Sequence, residues 1–162
     1  MDLRELLPQV QSLADALRSR CWRLATAESC TGGLIAAACT QLAGSSDWFE
    51  RGVVSYSNAA KTELLDVPAS LIEAHGAVSE AVARAMVQGA LQRAPVELAV
   101  AVTGIAGPGG AVPGKPVGTV WLAWGTADGV RAEMLQLGGD RDAVRLASVR
   151  AALRRLAEAA RP

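Results

Sequence analysis

Apolar residues recur at three- and four-residue intervals near the start of the chain, at Leu3, Leu6, Leu7, Val10, Leu13, Ala14 and Leu17. That spacing lines up one stripe and predicts an amphipathic helix closing at about residues 18–20. The pattern then shortens. CWRLATA (21–27) is a brief, mostly apolar run, and the alanine-rich stretch 31–43 begins with Gly32 and Gly33, so this region reads strand, turn, helix. RGVVSYS (51–57) predicts a second buried strand, and Asn58 stands as the N-cap of a helix NAAKTELLDV (58–67) that Pro68 stops. Val82, Met86, Val87, Ala90 and Leu91 mark another helix across 79–94, followed by the apolar strand ELAVAVT (97–103) and a glycine-rich loop. GTVWLAW (118–124) and VRAEMLQL (130–137) flank TADG, whose Asp128-Gly129 pair favours a hairpin turn. A last helix from Asp140 carries Leu146, Val149, Leu153, Leu156 and Ala160 on one stripe.

Helices alternating with the first three strands, and a hairpin after them, predict an α/β fold: a three-layer α/β/α sandwich on a mixed sheet of about five strands. We expect residues 1–162 to form one domain, since a chain of that length buries a sufficient core by itself. Ligands of such sheets collect beyond the carboxyl ends of parallel strands. Three segments end there together: TAESCTGG (26–33), SYSNAAK (55–61) and TGIAGPGG (103–110).

Charge and cysteine content narrow the classes. Sixteen Lys and Arg balance sixteen Asp and Glu, which removes the electrostatic footprint of a nucleic-acid binder. The late arginines alternate with the apolar stripe of the last helix and read as its solvated face. Three cysteines, an odd number, and no leader-like start predict a reduced, cytoplasmic protein. The longest uncharged run, Ser29 to Ser46, holds glycines, hydroxyls and a glutamine, so no membrane span is expected. No His, Cys, Asp and Glu grouping has metal-ligand spacing, and neither metal nor cofactor is expected.

Candidate chemistry centres on TAESCTGG. Ser29 follows a strand and precedes a helix, with backbone N–H groups of Thr31, Gly32 and Gly33 nearby as donors for a phosphate or an oxyanion. Position alone favours a plainer role, Ser29 or Thr31 as a helix cap. A serine nucleophile needs a base. The only histidine, His75, sits beside Gly76 as the last turn of a helix, which leaves no Ser-His-Asp triad in prospect. Lys61 is the other base, if burial and a helix N-terminus lower its pKa; spacing alone leaves it an exposed first-turn lysine. Cys30 is the rival nucleophile. GGAVPGKP (109–116) nearly spells a phosphate-binding loop, but Pro116 replaces the metal-binding hydroxyl, so it reads as a mobile pocket edge.

Taken in order, AESCTGGLIAA, GSSDWFERGVVSYSNAAK, HGAVSE, TGIAGPGG, KPVGTVW and GDRDAVR resemble the C-terminal domain of the CinA family in its stand-alone form, over residues 26–145. The resemblance implies hydrolysis of the carboxamide of nicotinamide mononucleotide to nicotinate mononucleotide and ammonia, in pyridine-nucleotide salvage and without a metal. It implies Ser29 as nucleophile, Lys61 as base and Tyr56 as an active-site residue. It implies Thr103 and Gly104 at the substrate, with Arg141, or Arg145 as the alternative, on the phosphate. It reverses the order of readings for Ser29 and Lys61. The alternatives are a nucleotide-binding regulatory module in which Ser29 only donates to phosphate, and an amidase for another small carboxamide. Trp121 and Trp124 lie three apart on one strand and therefore face opposite sides of the sheet; one of them at a subunit contact would make the protein a homo-oligomer.

Overall fold

The computed structural model describes residues 2–162. A 3-10 turn (Leu3–Leu6) leads into α1 (Leu7–Ser19), followed by β1 (Leu24–Glu28) and α2 (Leu34–Thr40). A second 3-10 turn (Ser45–Asp47) precedes β2 (Phe49–Val54), α3 (Asn58–Leu65), α4 (Ala69–His75) and α5 (Glu80–Arg93). The chain ends with β3 (Leu98–Gly104), β4 (Thr119–Thr126), β5 (Gly129–Gln136) and α6 (Arg141–Ala160). The five strands form one sheet in the order β2-β1-β3-β4-β5. β1 runs parallel to both β2 and β3, and β3, β4 and β5 are antiparallel in turn. This is the mixed three-layer sandwich expected from the pattern.

Alternation along the strands sorts the side chains onto two faces. Leu24, Leu98, Val100, Val102, Val120, Leu122 and Trp124 point into a core shared with α1, α2 and α6. Ala25, Ala27, Ala99, Ala101 and Ala123 form the opposite face, where Val82, Ala83, Met86, Val87 and Ala90 of α5 pack. Small strand residues let that helix sit low on the sheet, and its larger side chains fill the space. Trp121 and Trp124 do fall on opposite faces.

Two expectations are corrected. RGVVSYS is not a buried strand: β2 is an edge strand, and Arg51, Gly52 and Val54 are exposed. The apolar run of valines disguised it, because an edge strand with one helix beside it has the same local composition as a central one. Asn58 is not the cap of α3; Ser57 is, its hydroxyl accepting the N–H of Ala60 at 3.0 Å, and Asn58 is the first helical residue. The turn expected at Gly32 and Gly33 is present, both glycines being left-handed at φ 59° and 97°, and α2 begins after it at Leu34.

α3 is held against α5 at a close crossing. A Cβ built on Gly89 would lie 1.8 Å from the backbone oxygen of Leu65, so only glycine permits this approach. Arg93 of α5 then grips Asp66, just past α3, with two bonds of 2.7 Å. Alanine is favoured over glycine in a free helix by about 1 kcal/mol. Gly89→Ala is nevertheless expected to destabilise by about 2 kcal/mol or more through overpacking, lowering the melting temperature by roughly 4–8 °C. An unchanged or raised melting temperature would show that the two helices are not locked by this contact.

Candidate active site

The carboxyl ends of the parallel strands place three loops side by side. Beyond β1, the N–H of Ser29 donates to the carbonyl of Val102 at 3.0 Å, continuing the ladder with β3. Beyond β2, the N–H of Ser55 donates to the carbonyl of Glu28 at 2.9 Å, continuing the ladder with β1. The chain then leaves β1 toward α2 on one face and leaves β2 toward α3 on the other. That divergence opens a crevice between the two loops, the place where ligands of open α/β sheets bind.

Lys61, one turn into α3, reaches back across this crevice. It is 1% exposed, the second largest fully buried side chain of the described residues. Its Nζ lies 3.0 Å from Ser29 Oγ, and it donates to the carbonyls of Ser55 at 3.0 Å and Tyr56 at 3.2 Å. Carbonyl oxygens only accept, so two amine hydrogens are committed to them. The third direction from the nitrogen faces the serine hydroxyl. As an ammonium it donates there; as a neutral amine it offers its lone pair to the Ser29 O–H. Burial holds the pKa below the usual 10.5, with the neighbouring Cys30 thiol acting in the opposite direction. The amine and the hydroxyl thus share one hydrogen bond at the geometry of a base and its nucleophile.

Cys30 is adjacent in sequence yet chemically quiet. Burial pushes its thiol up to about 11, so it is not a thiolate near neutral pH. His75 is exposed at the end of α4 and does not line the crevice.

The crevice is a cavity of about 200 Å³. Ser29 and Lys61 are joined in its lining by Cys30, Tyr56, Thr103, Gly104 and Arg141, so seven of the sequence candidates meet there. Thr103 is 1% exposed and donates its hydroxyl to the carbonyl of Ala77 at 2.9 Å, leaving its oxygen lone pairs free. At the mouth, Arg141 donates to the carbonyl of Gly107 at 2.8 Å and to the phenolic oxygen of Tyr56 at 3.1 Å. Tyr56 itself is 59% exposed.

Thr31, Gly32, Gly33 and Arg145 lie outside this lining. The Thr31 hydroxyl donates to Glu28 at 2.7 Å, and the N–H of Gly32 donates to the carbonyl of Ser29 at 3.0 Å. Arg145 donates to the carbonyls of Cys30 and Thr31, each at 3.2 Å, and so clamps the turn from behind. Lys115 of the phosphate-loop look-alike donates to the carbonyl of His75 at 2.8 Å, pinning that loop to α4.

Sequence reasoning missed Asn58, Ala77, Val78 and Ala106 as walls of the cavity. Asn58 carried a usable signal, since it stands three residues before Lys61 and shares its helical face. Ala77 and Val78 carried none, being apolar residues of a loop between α4 and α5. Among the described residues, no group of three or more His, Cys, Asp and Glu is placed to hold a metal ion, and no helix is long and apolar enough to cross a membrane.

Fold and site together define an α/β domain with a buried serine–lysine pair at the switch point of its parallel strands. The C-terminal domain model of the CinA family matches residues 8–160, and the chain belongs to that family. A curated relative from Pseudomonas putida, named nicotinamide-nucleotide amidohydrolase PncC, is 55% identical over 141 residues, 87% of this chain and 88% of its own. A relative of the same name from Enterobacter agglomerans is 55% identical over 132 residues, 81% of this chain and 80% of its own. A crystal structure of a CinA superfamily protein from Klebsiella pneumoniae superposes with a TM-score of 0.92 at 39% identity, covering 99% of this chain and 98% of that one.

A lysine whose folded-state pKa lies below its unfolded value binds its proton less readily when folded. The penalty is complete below the folded pKa and disappears as pH rises toward 10.5. The melting temperature of the wild type minus that of Lys61→Met is therefore expected to grow as pH rises toward 10.5, measured by calorimetry in matched buffers. A difference flat with pH would mean that the buried amine is not perturbed.

Proposed function

We propose that this chain hydrolyses the carboxamide of nicotinamide mononucleotide, releasing ammonia and nicotinate mononucleotide, as an enzyme of pyridine-nucleotide salvage. One observation carries the reading: a buried lysine amine 3.0 Å from a serine hydroxyl, with its other two bonds spent on carbonyls. The names of the relatives at 55% identity support the same substrate.

In the proposed reaction, neutral Lys61 takes the proton of Ser29 as its oxygen attacks the amide carbon. The negative charge on the carbonyl oxygen is met by backbone N–H groups of the turn after Ser29 and of the loop beginning at Gly104. Thr31, Gly32 and Gly33 contribute through the shape of that turn, from outside the cavity. Protonated Lys61 then returns its proton to the departing ammonia, and the acyl group stays on Ser29 as an ester. Water, deprotonated by the same amine, attacks that ester; the C–O bond to Ser29 breaks, the amine returns the proton to the serine oxygen, and the acid is freed. Thr103 presents an acceptor to the substrate. Arg141, with Tyr56 beside it, holds the phosphate at the mouth, where a planar guanidinium forms paired bonds to its oxygens. Arg145 supports the turn rather than the phosphate. The same reading makes the enzyme cytoplasmic, free of cofactor and a homo-oligomer.

Ammonia release from nicotinamide mononucleotide is the first test, and Ser29→Ala is expected to reduce kcat by roughly 10³-fold or more. Cys30→Ala is expected to keep turnover close to wild type. For the wild type, kcat/KM is expected to rise with pH along a limb whose midpoint lies below 10.5, because only the neutral amine is a base. Full activity in Ser29→Ala, or the same rising limb with near wild-type rate in Lys61→Ala, would overturn the mechanism. Release of ammonia only from other carboxamides would redirect the substrate, and tight nucleotide binding without any release would make the chain a binding module.

A further inference from the structure

We propose that Glu28, a residue outside the catalytic cavity, is the positioning residue that aims the Ser29 hydroxyl; the inference rests on Ser29 being the nucleophile. Glu28 is the last residue of β1 and is completely buried, with no basic partner within ion-pair distance among the described residues. Its carboxylate is instead surrounded by four donors. Oε1 accepts the Thr31 hydroxyl at 2.7 Å and the N–H of Ile35 at 2.8 Å. Oε2 accepts the N–H of Ala36 at 3.0 Å and the Thr26 hydroxyl at 3.2 Å.

These bonds replace an ordinary helix cap. The N-cap of α2 is Gly33, which has no side chain to offer, and the second and third N–H groups of the helix go to Glu28 instead. The cap therefore comes from the strand and spans the whole turn that carries Ser29. Its two ends are fixed at once: Glu28 is in the sheet, and its side chain holds the start of α2. Between them, the N–H of Ser29 is tied to Val102 and its carbonyl to Gly32. Gly52 on the neighbouring strand keeps the approach open, since a Cβ there would lie 2.9 Å from both Thr26 Oγ1 and the Ala36 side chain.

The chemistry demands a carboxylate. Each oxygen meets one backbone N–H and one hydroxyl. A hydroxyl can rotate to accept, whereas a backbone N–H cannot. A glutamine of the same shape must point its NH₂ at one of the two backbone donors, whichever way the amide turns. One cap bond is lost and a donor faces a donor, so the turn shifts while the fold persists. Displacement of a nucleophile by about 1 Å costs on the order of 10²-fold in rate.

Steady-state kinetics on nicotinamide mononucleotide, normalised to folded protein by circular dichroism, test this with Glu28→Gln. The expected result is kcat lower by about 10-fold or more with KM within about threefold, because Tyr56, Thr103 and Arg141 are held by other loops. Unchanged kcat per folded molecule, or kcat and KM worsening together, would overturn the inference. Should Glu28→Gln fail to fold, Thr31→Val removes one of the four bonds and Thr31→Ser keeps it. The valine variant is then expected to lose about 3- to 10-fold in kcat at constant KM, with serine restoring wild-type turnover; equal rates in the two would overturn it. Absence of any ammonia release by the wild type would instead strike the functional reading itself, and this inference with it.

Discussion

The site depends on taking a lysine amine out of water and surrounding it with acceptors. An ammonium buried without a counter-ion is costly, and proteins relieve the cost by releasing the proton. Lys61 has no carboxylate among its hydrogen-bond partners, only two carbonyls and the hydroxyl of Ser29. Burial thereby raises the share of neutral amine, whose free lone pair faces one oxygen atom. Much of the architecture serves that placement. The ladder bonds past β1 and β2 fix Ser29 and Ser55, and the glycine crossing at Gly89 with the Asp66–Arg93 clamp seats α3.

Two buried ionisable groups stand at the end of β1, and they are treated oppositely. Lys61 meets acceptors, yet burial lowers its pKa toward the neutral form; Glu28 meets four donors and accepts from all of them. The first arrangement makes a reactive group, the second a rigid one. Arg145 reinforces the second by holding the carbonyls of Cys30 and Thr31 from α6. Ser29, the proposed nucleophile, thus sits between the buried amine and a fixed support, as a preorganised site requires.

The architecture was legible in the sequence wherever period and punctuation agreed. α1 and α6 follow from their apolar stripes, and the β4–β5 hairpin from Asp128-Gly129. β2 misled because edge position is decided by strand order, which depends on contacts distant in sequence. Of the site, the residue types could be read but not the reason they work. Spacing left Lys61 an exposed first-turn lysine; its burial comes from β1 and β2 ending beside α3. Its two carbonyl partners are backbone atoms with no residue signature. Glu28 stood in plain view in TAESCTGG, yet its role as a cap reaching Ile35 and Ala36 appears only once Gly33 is seen to begin the helix without a side chain.

The most direct test of the serine–lysine pair is rapid acid quench of the enzyme during turnover of nicotinamide mononucleotide, followed by peptide mass spectrometry. The expected result is the nicotinate mononucleotide acyl group on the peptide at Ser29 in the wild type and its absence from Lys61→Met. An acyl group on Cys30, or one forming on Ser29 just as fast without the lysine, would contradict a buried amine as the base that activates the serine.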